Sequence, residues 1–149
     1  RKIVEKIILL DESLKKSFAV LAPKIAVSAF NPHSFEFSCG EDERIADGIR
    51  EAQSSGFDVH GPFPTDTLFD RPYDGFLTMF HDQAMVYLKS KKDGLNFTAG
   101  LPVVRLSPLY GAALDIAGKN RAEFSGLVQA VKTGVRLFRN ERKYEKQLT

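Results

Sequence analysis

Residues 24–33 read K-I-A-V-S-A-F-N-P-H, an apolar run that ends abruptly at a proline. A short apolar run of this kind is typical of a buried strand. Pro32 ends the strand because proline has no backbone N–H to donate to a neighbouring strand. The sequence therefore predicts a strand over Lys24–Phe30, with His33 just beyond its carboxyl end.

Helical and strand patterns alternate on both sides of this run. Apolar residues at helical spacing predict helices over Arg1–Phe18, Glu41–Gln53, Asp82–Lys89 and Arg121–Leu148. Strand patterns cover Phe57–His60, Gly75–Phe80, Asn96–Thr98 and Val103–Leu106. The last helix carries an apolar stripe made of Phe124, Leu127, Val128, Val131, Val135 and Phe138. This alternation predicts an α/β fold with a mainly parallel sheet flanked by helices, and residues 1–149 are expected to form a single domain.

The composition is that of a globular protein, with 43% hydrophobic residues, 27% charged residues and a net charge of +2. Basic and acidic residues are interspersed, which argues against a nucleic-acid-binding face. No apolar stretch approaches the roughly 20 residues that a membrane span needs. Cys39 is the single cysteine, which excludes an internal disulfide and suits a reducing cytoplasm. Because the chain opens at Arg1 directly in a helical pattern, we expect further residues upstream.

Two histidines each follow an apolar strand. His33 lies in F-N-P-H and His81 in M-F-H-D-Q. Ligands of open α/β sheets gather beyond the carboxyl ends of the strands, and neutral imidazole is the commonest protein metal ligand. The pattern therefore allows a shared metal site, while the alternative that each histidine caps or hydrogen-bonds a loop stays open. His60 ends a strand, where packing or capping is expected instead.

The segment after His81 is rich in groups that suit an anionic substrate. Lys89 ends the short helix, Asn96 begins a strand and Arg105 ends the next one. Arginine binds two oxygens of a phosphate or carboxylate at once, and lysine acts as a point charge. Lys89 could instead open a solvated K-S-K-K run. Arg105 is expected to emerge at the end of a buried strand, because an unpaired charge is costly to bury.

The glycine-rich fingerprint of dinucleotide-binding folds is absent from the sequence. The residue pattern alone therefore indicates a metal-assisted or anion-binding α/β domain, without naming a reaction.

Six ordered segments, however, resemble those of the 4-hydroxythreonine-4-phosphate dehydrogenase family of vitamin B6 biosynthesis. They are N-P-H (31–33), G-P-F-P-T-D-T-L-F (61–69), F-H-D-Q (80–83), L-K (88–89), N-F-T-A-G-L-P-V-V-R-L-S (96–107) and G-A-A-L-D-I-A-G (111–118). The resemblance implies a fold like that of isocitrate and isopropylmalate dehydrogenases, which bind NAD without the glycine fingerprint. It also implies that the chain is the C-terminal part of a longer dehydrogenase.

The resemblance further implies a metal site and a substrate site. His33 and His81 would be two of three histidine ligands of a divalent metal (zinc, magnesium or cobalt) at a homodimer interface. Lys89, Asn96 and Arg105 would contact the substrate, with Lys89 as the catalytic residue that moves a proton. The implied reaction is oxidation of 4-phosphooxy-threonine with NAD or NADP as cofactor, followed by decarboxylation. The metal would serve as a Lewis acid.

The chain departs from the family pattern at two places. The loop Ser34–Cys39 replaces a glycine-rich segment, although Glu36 matches, and Tyr110 replaces a histidine. The family's third histidine falls upstream of Arg1. Two hypotheses follow: a metal-dependent dehydrogenase, or a truncated or divergent relative that keeps the fold and the dimer interface but is not catalytically competent alone.

Overall fold

The structure, a computed structural model, describes residues 1–91, 94–111 and 113–148. Its helices are α1 (Lys2–Lys16), α2 (Glu41–Ser54), α3 (His81–Ser90) and α4 (Ser125–Leu148). Its strands are β1 (Lys24–Ser28), β2 (Asp58–Phe63), β3 (Gly75–Leu77), β4 (Leu95–Phe97) and β5 (Leu106–Pro108). The predicted α/β class is confirmed by this order of elements. None of the described helices is long and apolar enough to cross a membrane.

Three parallel strands form the main sheet, in the order β2-β1-β3. Ile25 of β1 lies beside Val59 of β2 on one side and Gly75 of β3 on the other. Helices α1 and α2 pack on this sheet because their apolar residues recur at helical spacing. The shared core contains Ile7, Leu14, Ile25, Val27, Ile45, Ile49, Ala52 and Val59. Burying a side chain the size of Leu or Ile contributes about 1.5–3 kcal/mol, so this core holds β1 at the centre of the sheet.

Strand β2 continues past its predicted end at His60 and runs through Pro62 to Phe63. A proline is tolerated there because β2 is an edge strand and its outer side needs no donor. Gly61 has a φ of 135°, and a Cβ at this position would lie 2.5 Å from the carbonyl oxygen of Val27. Glycine therefore allows β2 to approach β1 closely where the two strands end.

Strands β4 and β5 form a separate antiparallel hairpin, with Phe97 opposite Leu106. The prediction of a mainly parallel sheet therefore holds for β1–β3 and is wrong for this pair. The predicted strand at Val103–Leu106 is also wrong, because β5 begins only at Leu106. The preceding run L-P-V-V contains Pro102, which cannot donate to a ladder, and Val103 is 64% exposed. This run is a loop over residues 101–105.

Helix α4 is attached through the side that carries Ala130, Leu137 and Asn140. Ala130 and Leu137 are buried, and the Nδ2 of Asn140 donates to the carbonyl oxygen of Ser17 at 2.9 Å. The predicted apolar stripe lies on a different face of α4, which is exposed. Its six residues, Phe124, Leu127, Val128, Val131, Val135 and Phe138, are between 41% and 72% exposed. In the described part of the chain, α4 thus presents an uncovered apolar surface.

Candidate functional site

The segments that carry His33 and His81 meet at the carboxyl edge of the main sheet. Strands β1 and β3 are parallel neighbours, so their carboxyl ends lie at the same edge. Phe30 follows β1 and Phe80 follows β3, and their ring centroids are 4.8 Å apart. This edge is where ligands of open α/β sheets bind.

The loop after β1 is held by a buried carboxylate. Asp42, in the first turn of α2, is fully buried and accepts hydrogen bonds from the backbone N–H of Phe30 at 2.7 Å and of Asn31 at 3.3 Å. The side-chain oxygen of Asn31 accepts a hydrogen bond from the N–H of His33 at 3.0 Å. The backbone carbonyl of Asn31 accepts one from the N–H of Ser34 at 2.9 Å. These bonds fix the backbone from which the His33 side chain extends.

The His33 imidazole itself is exposed. Its Nδ1 lies 3.7 Å from Oε2 of Glu36, which is too long for a hydrogen bond. Its ring meets Phe37 edge to face, with 5.3 Å between centroids. A carboxylate beside an imidazole is a common partner of metal-binding histidines, so this surrounding is compatible with a ligand role.

His81 is the first residue of α3 and is exposed. The start of this helix is fixed by Gln83, whose Oε1 accepts from the backbone N–H of Met79 at 2.9 Å and of Phe80 at 3.0 Å. A glutamine at this position that reaches back to the preceding N–H is one half of a capping box. These bonds fix the backbone that presents His81.

Two histidines do not make a complete metal site. In residues 1–91, 94–111 and 113–148, no group of three or more His, Cys, Asp or Glu side chains is arranged to hold a metal ion. Protein zinc sites use three or four protein ligands, with nitrogen among the preferred donors. The donor chemistry of His33 and His81 therefore fits a divalent metal, but a complete ligand set needs donors beyond the described residues.

The predicted substrate residues lie in two places. Lys89 is exposed, one residue before the end of α3, and lines a cleft of about 420 Å³ together with Tyr110. Asn96 and Arg105 lie on the β4–β5 hairpin and do not line that cleft. The structure therefore does not bring all three side chains to one cleft.

Arg105 is not at the end of a buried strand, as the sequence predicted, because it lies in the loop that precedes β5. Its side chain is exposed, and Nη1 donates to Oγ1 of Thr98 at 2.8 Å. Asn96 and Thr98 are two residues apart on an extended chain and so face the same side of the hairpin. The Thr98 hydroxyl therefore draws the Arg105 guanidinium toward the face that carries Asn96.

His60 packs beside Tyr73, with ring centroids 5.7 Å apart. It is exposed, and its Nε2 lies 2.7 Å from Oδ1 of Asp58. It belongs to a surface pair on β2.

Sequence reasoning missed Glu123 and Ser125, which line the cleft of Lys89 and Tyr110. Hydrogen bonds from the hydroxyl and the backbone N–H of Ser125 lower the pKa of the Glu123 carboxyl. An anionic group and Lys89 therefore line the same cleft. The only sequence signal is a serine at the start of the last helix, which does not indicate a cleft.

Comparison with protein families shows which family this chain belongs to. The family model described as pyridoxal phosphate biosynthetic protein PdxA matches residues 1–134. The chain belongs to the PdxA family. The resemblance predicted from the six sequence segments is confirmed.

Curated members of the PdxA family share much of this sequence. The 4-hydroxythreonine-4-phosphate dehydrogenase of Burkholderia vietnamiensis is 38% identical over 149 residues, covering 94% of this chain and 45% of the relative. The enzyme of the same name from Ruegeria sp. is 42% identical over 135 residues, covering 85% of this chain and 41% of the relative. The chain thus spans less than half the length of these relatives.

Solved structures of two dehydrogenases share this fold. The 4-hydroxythreonine-4-phosphate dehydrogenase of Klebsiella pneumoniae superposes with a TM-score of 0.78 at 33% identity, covering 91% of this chain and 44% of that one. A terephthalate 1,2-cis-dihydrodiol dehydrogenase of Burkholderia xenovorans superposes with a TM-score of 0.67 at 25% identity, covering 87% and 44%. The fold is therefore shared by dehydrogenases named for two different substrates.

Proposed function

We propose that this chain is part of an enzyme that oxidises 4-hydroxythreonine 4-phosphate with NAD or NADP and decarboxylates the product, in vitamin B6 biosynthesis. Membership of the PdxA family and the names of the relatives support this proposal. The structural observation that carries it is the meeting of two histidine-bearing segments at one sheet edge, marked by the 4.8 Å contact of Phe30 and Phe80.

His33 and His81 would hold a divalent cation, which is zinc, magnesium or cobalt in this proposal. Both residues are exposed, and both follow a backbone that buried or capping hydrogen bonds fix. A third ligand would come from outside the described residues. When bound, the metal would supply Lewis-acid polarisation of a substrate oxygen.

Arg105 and Asn96 would bind the anionic groups of the substrate. One donor of the Arg105 guanidinium serves Thr98, and the other donors of its planar fork suit the oxygens of a phosphate or carboxylate. Asn96 would add a neutral amide on the same face of the hairpin. Lys89, at the cleft beside Tyr110, would carry the proton between the substrate and solvent through its Nζ.

The remaining expectations from the resemblance belong to the same proposal. They are a homodimer, a cytoplasmic location, a likeness to isocitrate and isopropylmalate dehydrogenases, and a single domain that forms the C-terminal part of the enzyme. The competing proposal is a truncated or divergent relative that keeps the fold but lacks activity alone. It draws support from the incomplete ligand set of the described residues.

Steady-state assays of the full-length protein test the proposal. We expect reduction of NAD or NADP that requires both 4-hydroxythreonine 4-phosphate and a divalent metal, and that chelation abolishes. A cis-dihydrodiol of terephthalate is the comparison substrate, because a structural relative is named for it. Absence of turnover with either cofactor and each of the three metals would favour the competing proposal of an inactive relative. Faster turnover of the dihydrodiol would show that 4-hydroxythreonine 4-phosphate is not the preferred substrate.

A further inference from the structure

The carboxamide of Gln83 joins two segments at the carboxyl edge of the sheet. Its Oε1 accepts hydrogen bonds from the N–H groups of Met79 at 2.9 Å and Phe80 at 3.0 Å, directly before His81. Its Nε2 donates to the carbonyl oxygen of Ala29 at 3.1 Å, directly after β1. One side chain thus bonds the backbone that leads to each histidine.

Ser28 completes this network. Its side chain is fully buried at the end of β1, where its hydroxyl donates to Oε1 of Gln83 at 3.0 Å. The same hydroxyl oxygen accepts from the N–H of Met79 at 3.0 Å. The network also determines how the amide is turned, because the reverse orientation would set its NH₂ group against two backbone N–H donors. The amide therefore has one orientation, with Oε1 toward Met79 and Phe80 and the NH₂ group toward Ala29.

Short stretches of chain connect this network to the two histidines. His81 is bonded to Phe80, and His33 lies four residues after Ala29, a distance of at most about 14 Å in a fully extended chain. The turn closed by Asn31 and Ser34 shortens that reach. We propose that Gln83 is a positioning residue that sets the separation of His33 and His81, and with it the affinity for a divalent cation. This inference rests on the proposed function.

A purely structural role for Gln83 makes a different prediction. A helix cap needs only the bonds to Met79 and Phe80, whereas the bonds to Ala29 and Ser28 tie α3 to β1. Gln53 offers a matched control, since its Nε2 donates to the carbonyl oxygen of Val59 at 2.8 Å and ties α2 to β2. Val59 lies beside Ile25, in the amino-terminal half of the strands and away from the carboxyl edge.

The test measures cobalt(II) affinity and the visible cobalt spectrum in the full-length protein and its variants. We expect Gln83→Met to weaken cobalt binding by about 10- to 100-fold, the range found when a residue that orients metal ligands is replaced. The cobalt bands should also shift, because the ligand geometry changes. Gln53→Met should bind cobalt like the wild type, even where both variants lose similar thermal stability. Ser28→Ala, a smaller change, should weaken binding by about 2- to 10-fold, the equivalent of one neutral hydrogen bond.

The outcomes separate this inference from the proposed function. If wild-type protein binds cobalt and His33→Ala does not, but Gln83→Met and Ser28→Ala bind like the wild type, the positioning role is wrong and the metal site stands. An equal loss in Gln53→Met would also overturn it, because the effect would then follow general stability. If the wild type binds none of cobalt, zinc and magnesium, the metal site of the proposed function fails and this inference fails with it. Should Gln83→Met not fold, Ser28→Ala decides by the same criteria.

Discussion

The ring centroids of Phe30 and Phe80 lie 4.8 Å apart, with their planes tilted by 55°. Both side chains are partly exposed, at 44% and 42%, so this contact joins two loops at the surface instead of filling the core. It brings together the segments that follow the adjacent parallel strands β1 and β3. The candidate metal site depends on this relationship, because His33 and His81 are far apart in sequence.

Replacing either histidine should abolish metal retention without unfolding the protein. His33 and His81 are exposed, and surface substitutions usually change the free energy of unfolding by less than about 0.5 kcal/mol. We therefore expect His33→Ala and His81→Ala in the full-length protein to lose bound metal, measured by elemental analysis, with an unchanged thermal melt. His60→Ala is the control, since His60 pairs with Asp58 and should leave the metal content unchanged. Full metal content in both site variants would refute a shared site.

Asp42 should be important for stability. Its fully buried carboxylate accepts from the N–H groups of Phe30 and Asn31, and hydrogen bonds to a charged group contribute about 1.5–3 kcal/mol. Asp42→Ala should therefore lower the free energy of unfolding by at least that amount, measured by denaturant titration. Asp47→Ala, on the same helix but exposed and paired with Arg50, should cost less than about 1 kcal/mol. Equal losses in the two variants would contradict the anchoring role of Asp42.

The complete protein should be a homodimer. The described residues supply two histidines, while the resemblance implies three ligands shared between protomers. Sedimentation of the full-length protein should therefore show a dimer, and chelation should weaken it if the metal links the two subunits. A monomer at micromolar concentration with full activity would count against a shared site.

The sequence predicted best what depends on local periodicity. The core strand at Lys24–Phe30 and the helix at Glu41–Gln53 were placed to within two residues at each end, because their apolar spacing matches their burial. The run L-P-V-V was wrongly predicted as a strand because that prediction also relied on apolar spacing alone. Val103 is exposed, and a local pattern does not show which apolar residues are buried by distant parts of the chain.

The site was harder to predict because it depends on contacts between distant residues. His33 and Gln83 each lie in a recognisable motif, but only the folded chain shows that Gln83 bonds Ser28 and Ala29, more than 50 residues away. In the sequence, Asp42 is an ordinary acidic residue in the first turn of a helix. Only the structure shows that its carboxylate accepts a hydrogen bond from the backbone of Phe30. Hydrogen-bond networks of this kind have no periodicity for a sequence pattern to reveal.

Arg105 provides a decisive test of the substrate site. It is exposed and held by Thr98 on the face of the hairpin that carries Asn96. Arg105→Lys keeps the charge but loses the planar fork that binds two oxygens at once. If the fork binds a phosphate or carboxylate, the loss is worth about 1.5–3 kcal/mol and the Michaelis constant should rise by about 10- to 100-fold. The melting temperature should stay the same, because the side chain is exposed.

Two further variants make the Arg105 result specific. Arg50→Lys changes an exposed arginine that pairs with Asp47 on α2, and should leave the Michaelis constant unchanged. Thr98→Val removes the hydroxyl that orients Arg105 and should raise the Michaelis constant by less than Arg105→Lys does, because the guanidinium remains. Steady-state kinetics and thermal melts on the full-length variants measure both effects. An unchanged Michaelis constant in Arg105→Lys would exclude substrate binding by this residue. A fall in melting temperature with no kinetic effect would instead assign Arg105 to the stability of the β4–β5 hairpin through its bond to Thr98.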